Sequence, residues 1–461
     1  MFMIQAKVKP SLLEAILLIA LIVTIICTSI IGYGTSPHIP ILASILILIG
    51  YGLLKKLSYR DLETAMLDGA KSGIAAIYIF VIIGILISSW LISGTIPTIL
   101  YAGLTIVTAS FFYAIVFVIT AIIGTAIGSS LTTIATVGIA FITIAQTVDA
   151  SLAITAGAIV SGAFFGDKMS PLSDTTTLAA SVAGIDLFEH IKNMSWTTIP
   201  AFLISAILYS ILSPSITTVD TQDISLYKQV LVDLNLVHWY AIIPILVLII
   251  CTTFKMPTLL TLTLSSVVAV CLTPLHMDLQ IGDYINILYG GFTSTSGNEV
   301  IDSLLTRGGM SSMYFTIGLV ILSLSLGGLL FVLGIIERLL QSVESLLQSI
   351  GAAVTGAALT AISINTLIGE QYLSILLTGE TFKPKFKQLG YHPKNLARVT
   401  EDAGTVINPL VPWSVCGLFI SGMLGVEVLD YLPFAFFCLL SPVLTILFGW
   451  LGWTMTKIQT K

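Results

Sequence analysis

The chain has 461 residues, is 56% hydrophobic and only 9% charged, with a mean hydropathy of +1.03. Soluble domains carry about 25% charged residues, so this composition leaves no soluble domain of useful size and indicates a polytopic helical membrane protein. The net charge of -5 carries no signal for a nucleic-acid partner, and the basic residues report topology instead.

Taken in order, Lys7 and Lys9 precede an apolar run, Leu12–Ile31. It is too long for a signal-peptide core and has no small-x-small cleavage site, so it is the first membrane helix, 11–31. The second helix is 38–54. Lys55, Lys56 and Arg60 form a basic turn before an amphipathic piece, 60–72. The third helix is 73–94, and the Pro-containing segment 93–103 reads as interfacial. A fourth helix, 105–123, meets a Gly/Ser/Thr-rich break, GTAIGSSLTT (124–133), and a fifth runs on to Val148.

The segment 151–184 breaks the apolar pattern. It holds GAFFGDKMSPLSDTTT (162–177), with Asp167, Lys168, Pro171 and Asp174 inside an otherwise apolar region. Pro171 lacks an N–H and clashes with the carbonyl four residues back. Bare carbonyls in a bilayer need protein or a water-lined cavity around them. This predicts a discontinuous helix: 152–165, an opening over 166–173, and a second half from Asp174 to Ala183, capped by Ser173 or Asp174. A polar turn, DLFEHIKN (186–193), leads to a helix over 195–213.

The second half repeats the plan. A polar linker, 214–236, precedes helices at 238–254 and 257–275 and a long polar segment, 276–307. Helices follow at 313–334 and 346–364, the latter running into NTLIGEQYLS (365–374). A basic loop, 380–398, precedes a second interrupted segment, TEDAGTVINPLVPWS (400–414). The last helix is 432–454. Adding 241 places 125–138 on 366–379 with five of fourteen residues identical. The same offset places Asp167 on Asn408, Pro171 on Pro412, Ser173 on Ser414, Gly184 on Gly425 and Asp186 on Glu427. Pro, Gly and carboxylate matches at one offset indicate an internal duplication, with 1–213 the first repeat, 214–236 an external linker and 237–461 the second.

Charge supplies the orientation. Of 19 Lys and Arg, Lys168 is in the membrane and Lys228 and Arg307 are in acidic loops. The rest fall on one side, which is cytoplasmic by the positive-inside rule and includes both termini. Each repeat then has an odd number of crossings. The fold class expected is an all-α polytopic membrane protein of two inverted-topology repeats with discontinuous helices, the breaks at 124–133 and 365–374 being readable as re-entrant hairpins. Such folds alternate access around a central site.

The chemistry this implies is competition between a cation and a proton. Desolvation favours a protonated carboxyl, and a bound cation favours the carboxylate. Asp167 and Asp174, seven residues apart, face one cavity in this reading, and Na+ is placed at the two. Asp174 ranks first because it follows the break, among Ser170, Ser173, Thr175 and Thr176. Asn408, Thr405 and Ser414 offer neutral oxygens from the other repeat. Lys168, Glu370, Glu401 and Asp402 are candidates for a proton or gating role: Lys168 is weighed against a structural ion pair, Glu370 against an interfacial residue, and Glu401 and Asp402 line either the same cavity or its vestibule. Glu14 and Asp149, near span ends, are left as surface residues. The five cysteines are scattered and the five histidines lie near segment ends without metal spacing. No cofactor or structural metal is expected.

The motifs also carry a family resemblance. GAFFGDKMSPLSDTT (162–176) resembles the signature of the NhaC family of Na+/H+ antiporters. So do SSWLISGTIPTILYAGL (88–104) and TRGGMSSM (306–313), the latter before a helix ending in LSLGGLL (324–330). Thr306 stands where Ser is common. The resemblance spans about residues 10–455. It implies a plasma-membrane transporter exchanging cytoplasmic Na+ for external H+, with lipid around it and room for a homodimer. The family also includes exchangers of malate and protons for Na+ and lactate, so small carboxylates are the rival substrates. An intramembrane aspartyl protease would also place two Asp in spans, but Gly166-Asp167 lacks the first Gly of GxGD, and no HExxH or GxSxG lies in a span. A passive channel would need neither broken helices nor inverted repeats.

Overall fold

The structure is a computed structural model and describes residues 6–106, 111–147, 150–171, 173–213, 221–254, 256–297, 302, 305–343 and 347–458. Asp149, Lys255 and linker residues 214–220 lie outside the described residues. Among the described residues the regular structure is helical, with two isolated bridge pairs, Phe292 with Arg307 and Tyr391 with Lys457.

The first helix begins where the sequence puts a polar cap. α1 (Leu12–Cys27) opens on a capping box between Ser11 and Glu14 and continues through a π turn, Thr28–Gly32. α2 is His38–Leu54 and α3, amphipathic as expected, is Tyr59–Ser72. α4 (Ile74–Ile92) turns sharply into α5 (Thr95–Ile106), and the two bend by 67°. α6 (Phe112–Ile127) and α7 (Ser130–Gln146) are separated only by Gly128 and Ser129. The expected ten-residue break therefore shrinks to two. Gly128 takes the left-handed conformation that glycine allows, and Ser129 caps the next helix through Thr132 N.

α8 (Leu152–Met169) and α9 (Asp174–Ala183) form the first broken helix. Helix runs to Met169 and resumes at Asp174, so the opening is narrower than the expected 166–173. α10 (Leu187–Leu212) starts inside the stretch read as a polar turn. Asp186 caps it by accepting from Phe188 N and Glu189 N, so DLFEHIKN is a helix start.

α11 is Thr221–Asp233, α12 Ile243–Thr253, α13 Thr258–Leu272 and α14 Ile281–Gly290, the last inside the segment read as polar loop. α15 (Tyr314–Val332) is followed by α16 (Ile335–Val343). α17 (Ile350–Ile368) folds back at Gly369 into α18 (Gln371–Gln388): Ser374 Oγ–H donates to Ala361 O at 2.8 Å. α19 is Lys394–Leu410 and α20 Val415–Leu424, bent by 46° at 411–414. The basic stretch 380–398 is thus mostly helix, its lysines on the ends of α18 and α19. α21 (Val428–Phe434) and α22 (Phe436–Leu451) complete the chain. α20 and α21 had no counterpart in the sequence reading, which left 415–431 unassigned.

Boundaries recur at an offset of 241. The left-handed caps Gly128 and Gly184 fall on the left-handed caps Gly369 and Gly425. Ser173, capping α9, falls on Ser414, capping α20, and Asp174–Ala183 falls on Val415–Leu424.

Burial separates centre from rim. α8 has 72% of its residues buried, against 17% for α1 and 28% for α10, so α8 is an inner helix and the other two lie at the rim. α6 lies hard against α8. A Cβ on Gly162 would sit 2.5 Å from Phe117 O, and one on Gly166 2.5 Å from Thr125 N. Small residues permit that backbone approach, as is usual between membrane helices. α3 and α15 do the same through Gly69 and Gly328.

Candidate functional site

The last turn of α8 carries Asp167 and Lys168 into the protein, both buried. Asp167 meets the turn between α6 and α7. Its Oδ2 accepts from Ser130 N–H at 3.1 Å and from Ser130 Oγ–H at 2.7 Å. Its Oδ1 is buried and has no hydrogen-bond partner among the described residues. One carboxylate oxygen is thus held and the other is free. Gly166 lets this happen, since any side chain there would strike the Gly124–Thr125 backbone.

Lys168 points to the other broken helix. It forms a short ion pair with Asp402, 234 residues away, and both side chains are 0% exposed. Asp402 Oδ2 accepts from Thr197 Oγ–H of α10 at 2.8 Å, and the Lys168 ammonium lies 5.7 Å from the Phe437 ring centroid. Asp402 sits in a π turn, Glu401–Thr405, inside α19. Such turns concentrate at functional places because they leave backbone groups unsatisfied. Glu401 beside it is fully buried, and neither carboxylate oxygen has a partner among the described residues. It is within electrostatic reach of Lys168, Asp167 and Asp402. Thr405 Oγ1 is likewise buried and unpartnered.

The neutral oxygens expected from the second repeat are mostly committed to holding its break open. Asn408 Oδ1 accepts from Cys416 N–H at 3.0 Å, and its Nδ2 donates to Asn365 Oδ1 at 2.9 Å. Ser414 Oγ–H donates to Asn408 O at 2.5 Å while Ser414 Oγ caps α20 through Gly417 N. Asn365 also donates to Gly404 O at 2.5 Å. In the first repeat Ser173 Oγ caps α9 through Thr176 N and lies 3.0 Å from Thr175 Oγ1. Ser170 is buried at the start of the break.

Asp174 is placed differently from Asp167. It is exposed, its Oδ1 accepts from Thr175 N–H, and its Oδ2 takes a short hydrogen bond from Tyr372 OH. Glu370 caps α18, accepting from Leu373 N at 2.8 Å, and Gln371 is buried next to it. The structure therefore brings Asp167, Lys168, Glu401, Asp402 and Thr405 together. Asp174 is exposed, whereas Glu370 is buried at the start of α18, whose Tyr372 reaches Asp174. Sequence reasoning did not single out Ser130, Thr197, Tyr372 or Asn365. Ser130 alone had a signal, its place in a Gly/Ser break matching Gln371.

A cavity of about 280 Å³ reaches the second break from the side of the α1–α2 connection. Thr35, Ser36, Phe315, Pro412, Ser421 and Glu427 are among its lining residues.

Residues 162–453 match the model of the Na+/H+ antiporter family. The Na+/H+ antiporter NhaC of Alkalihalophilus pseudofirmus is 41% identical over 446 residues, 96% of each chain. The chain belongs to the NhaC family of Na+/H+ antiporters. Other relatives carry other cargo in their names. The malate-2H+/Na+-lactate antiporter of Bacillus subtilis is 30% identical, covering 96% of this chain and 95% of its own. The arginine/ornithine antiporter ArcD of Halobacterium salinarum is 33% identical, covering 97% and 93%. These NhaC relatives are transporters, and the family, with the apolar helices, makes this chain a multi-pass membrane protein.

Proposed function

We propose that this chain extrudes cytoplasmic Na+ in exchange for external H+ by alternating access. The observation that carries this is Asp167: a buried carboxylate with one oxygen held by Ser130 and the other free, at the meeting of two broken helices and a helix turn. A group so placed binds a proton or a small hard cation, and either one excludes the other. Thr405 Oγ1 and the freed carbonyls of the break are hard oxygen donors for Na+. The recurrence of caps and breaks at one offset supports two repeats, 1–213 and 237–461, joined through 214–236, and the charge distribution supports their inversion with both termini cytoplasmic. On that orientation the cavity at Pro412 and Glu427 is the external approach.

Asp167 ranks above Asp174 in this reading, because Asp174 is exposed and already accepts from Tyr372. The small-carboxylate rival needs a cation to receive an anion, and Lys168 is taken by Asp402, which favours Na+ alone as the cargo. The deciding experiment loads everted vesicles with a pH gradient and adds NaCl, then malate, lactate or arginine with and without Na+. Collapse of the gradient on Na+ alone is expected. Collapse only with an organic solute present would transfer the function to the organic exchangers. Asp167→Asn should abolish the response, and Asp174→Asn should weaken it. Full exchange in Asp167→Asn at normal expression would sink this assignment.

A further inference from the structure

The two broken helices correspond at an offset of 241, yet their second halves are fastened differently. α9 is tied to α18 at both ends. At its start Tyr372 OH donates to Asp174. At its end Lys383 Nζ donates to Val182 O at 2.8 Å, and a Cβ on Gly379 would lie 2.5 Å from Val182 Cγ1. Tyr372, Gly379 and Lys383 are spaced i, i+7, i+11, so one face of α18 carries all three. The lysine sits where a cation suits a helix C-terminus. α20 is held at its start only. Val415 N–H donates to Gly369 O at 2.8 Å, and Trp413 Nε1–H, just before the helix, donates to Thr366 O at 2.6 Å. Among the described residues, the last side-chain hydrogen bond along α20 runs from Gly417 N–H to Ser414 Oγ. The rest packs through apolar surfaces, with Phe419 stacked on Phe80 at 5.1 Å and Leu424 on α7 beside Gly138. The sequence carries this difference: at the same offset Tyr372 and Lys383 correspond to Leu131 and Ile142, and Asp174 to Val415. The helix ends differ as well. A Cβ on Gly184 would lie 3.4 Å from Lys383 Nζ, whereas one on Gly425 would meet nothing within 4 Å. The cavity of about 280 Å³ lies along this untied end, with Leu418, Ser421 and Gly422 in its wall.

We propose that α20 is a moving gate and α9 a fixed wall. α20 pivots about 413–415, and its free end swings into the cavity, opening and closing the way to the second break from the side of the α1–α2 connection. The inference rests on the alternating-access reading above and names the element that moves. Hydrogen bonds inside a low-dielectric protein are costly to break without a replacement, so α9 stays with α18. An apolar contact has no such bond to lose, and it parts at lower cost where neighbouring space can receive the moving side chains. The cavity supplies that space. Gly422 meets α15 without a side chain, and a Cβ there would lie 3.6 Å from Thr316 Oγ1, so nothing interlocks at the contact that has to open.

The test uses two engineered disulfides in purified protein in liposomes, each in a background with the native cysteines removed. Val182→Cys with Gly379→Cys joins α9 to α18, and the two Cβ positions are 3.5 Å apart, within disulfide reach. Gly422→Cys with Thr316→Cys joins the free end of α20 to α15. Mass spectrometry counts the cross-linked fraction. Oxidation of the α20 pair should lower Na+-driven proton exchange by about tenfold or more, while oxidation of the α9 pair leaves it within about twofold. Reduction should restore the α20 pair, which also reports that the variant is folded. Ser421→Phe fills the cavity without any cross-link and should slow exchange by a similar factor. Wild-type exchange in the fully oxidised α20 pair or in Ser421→Phe would overturn the gate, as would loss of exchange on oxidising the α9 pair. Wild-type protein that moves protons only when malate, lactate or arginine is present would instead fail the Na+/H+ reading, and the gate is then scored on that solute.

Discussion

At the scale of single residues the site is held by unequal commitments. Asp167 gives one oxygen to Ser130 and keeps one. Removing its charge should cost cation binding about 2 kcal/mol or more, roughly thirtyfold in affinity, which isothermal titration of Asp167→Asn with NaCl reads directly. Unchanged affinity would move the cation elsewhere. The Lys168–Asp402 pair has a different signature. Breaking a buried pair leaves an uncompensated charge, at a cost of about 3–5 kcal/mol, whereas removing both charges costs far less. Lys168→Met should therefore melt earlier in detergent than Lys168→Met with Asp402→Asn. Additive losses would show that the two do not interact. Asp167, Lys168 and Asp402 were all legible in the sequence, because charges inside apolar runs stand out. Their partners were not. A Thr or Ser in a membrane helix has too many bland reasons to be there, so nothing marked Thr197 or Tyr372 before the helices were packed.

At the scale of elements, close approach decides the geometry. α8 can bring Asp167 to Ser130 only because Gly166 lets it touch the backbone of the α6–α7 turn. Gly166→Ala forces backbone apart and should destabilise by about 1–3 kcal/mol. Since the shift falls beside Asp167, exchange should drop further than the loss of folded protein explains. Normal exchange per folded molecule would refute that link. The α14–α15 connection shows another local device. Asp302 accepts from Ser294 Oγ–H at 2.7 Å and from Ser296 N–H at 2.6 Å. The Ser294 hydroxyl and the Ser296 N–H hold its carboxyl down to about 2, below the ordinary 3.8. A depressed carboxyl stabilises its surroundings above its ordinary value and loses that as pH falls toward the lowered one. The protection factors of residues 292–297 against hydrogen exchange should therefore fall below about pH 4, and Asp302→Asn should show the lowered protection at neutral pH as well. A protected loop in that variant would contradict it.

At the scale of the whole molecule the offset of 241 makes a topological prediction. The left-handed glycines Gly184 and Gly425 end corresponding helices, and inversion places them on opposite sides of the membrane. Single cysteines at Asp186 and Glu427, in a background with its native cysteines removed, should react with a membrane-impermeant thiol reagent from opposite sides: Asp186→Cys from the cytoplasm and Glu427→Cys from outside. Labelling of both from one side would abolish the inverted arrangement.

The sequence by itself determined the membrane class, the place of nearly every apolar helix, both broken segments and the family, because hydropathy, Pro, Gly and intramembrane charge act locally and leave marks at fixed positions. It misjudged where polar residues sit in helix ends: DLFEHIKN and much of 380–398 are helical, since a cap such as Asp186 and a surface ion pair make charge compatible with helix. Only the tertiary structure decided which charges meet. Lys168 and Asp402 are 234 residues apart, and no local rule couples them. Nor could spacing tell the buried Asp167 from the exposed Asp174, or show that Asn408 and Ser414 spend their oxygens on holding the break. Those outcomes depend on which helix faces which, and that is settled by packing.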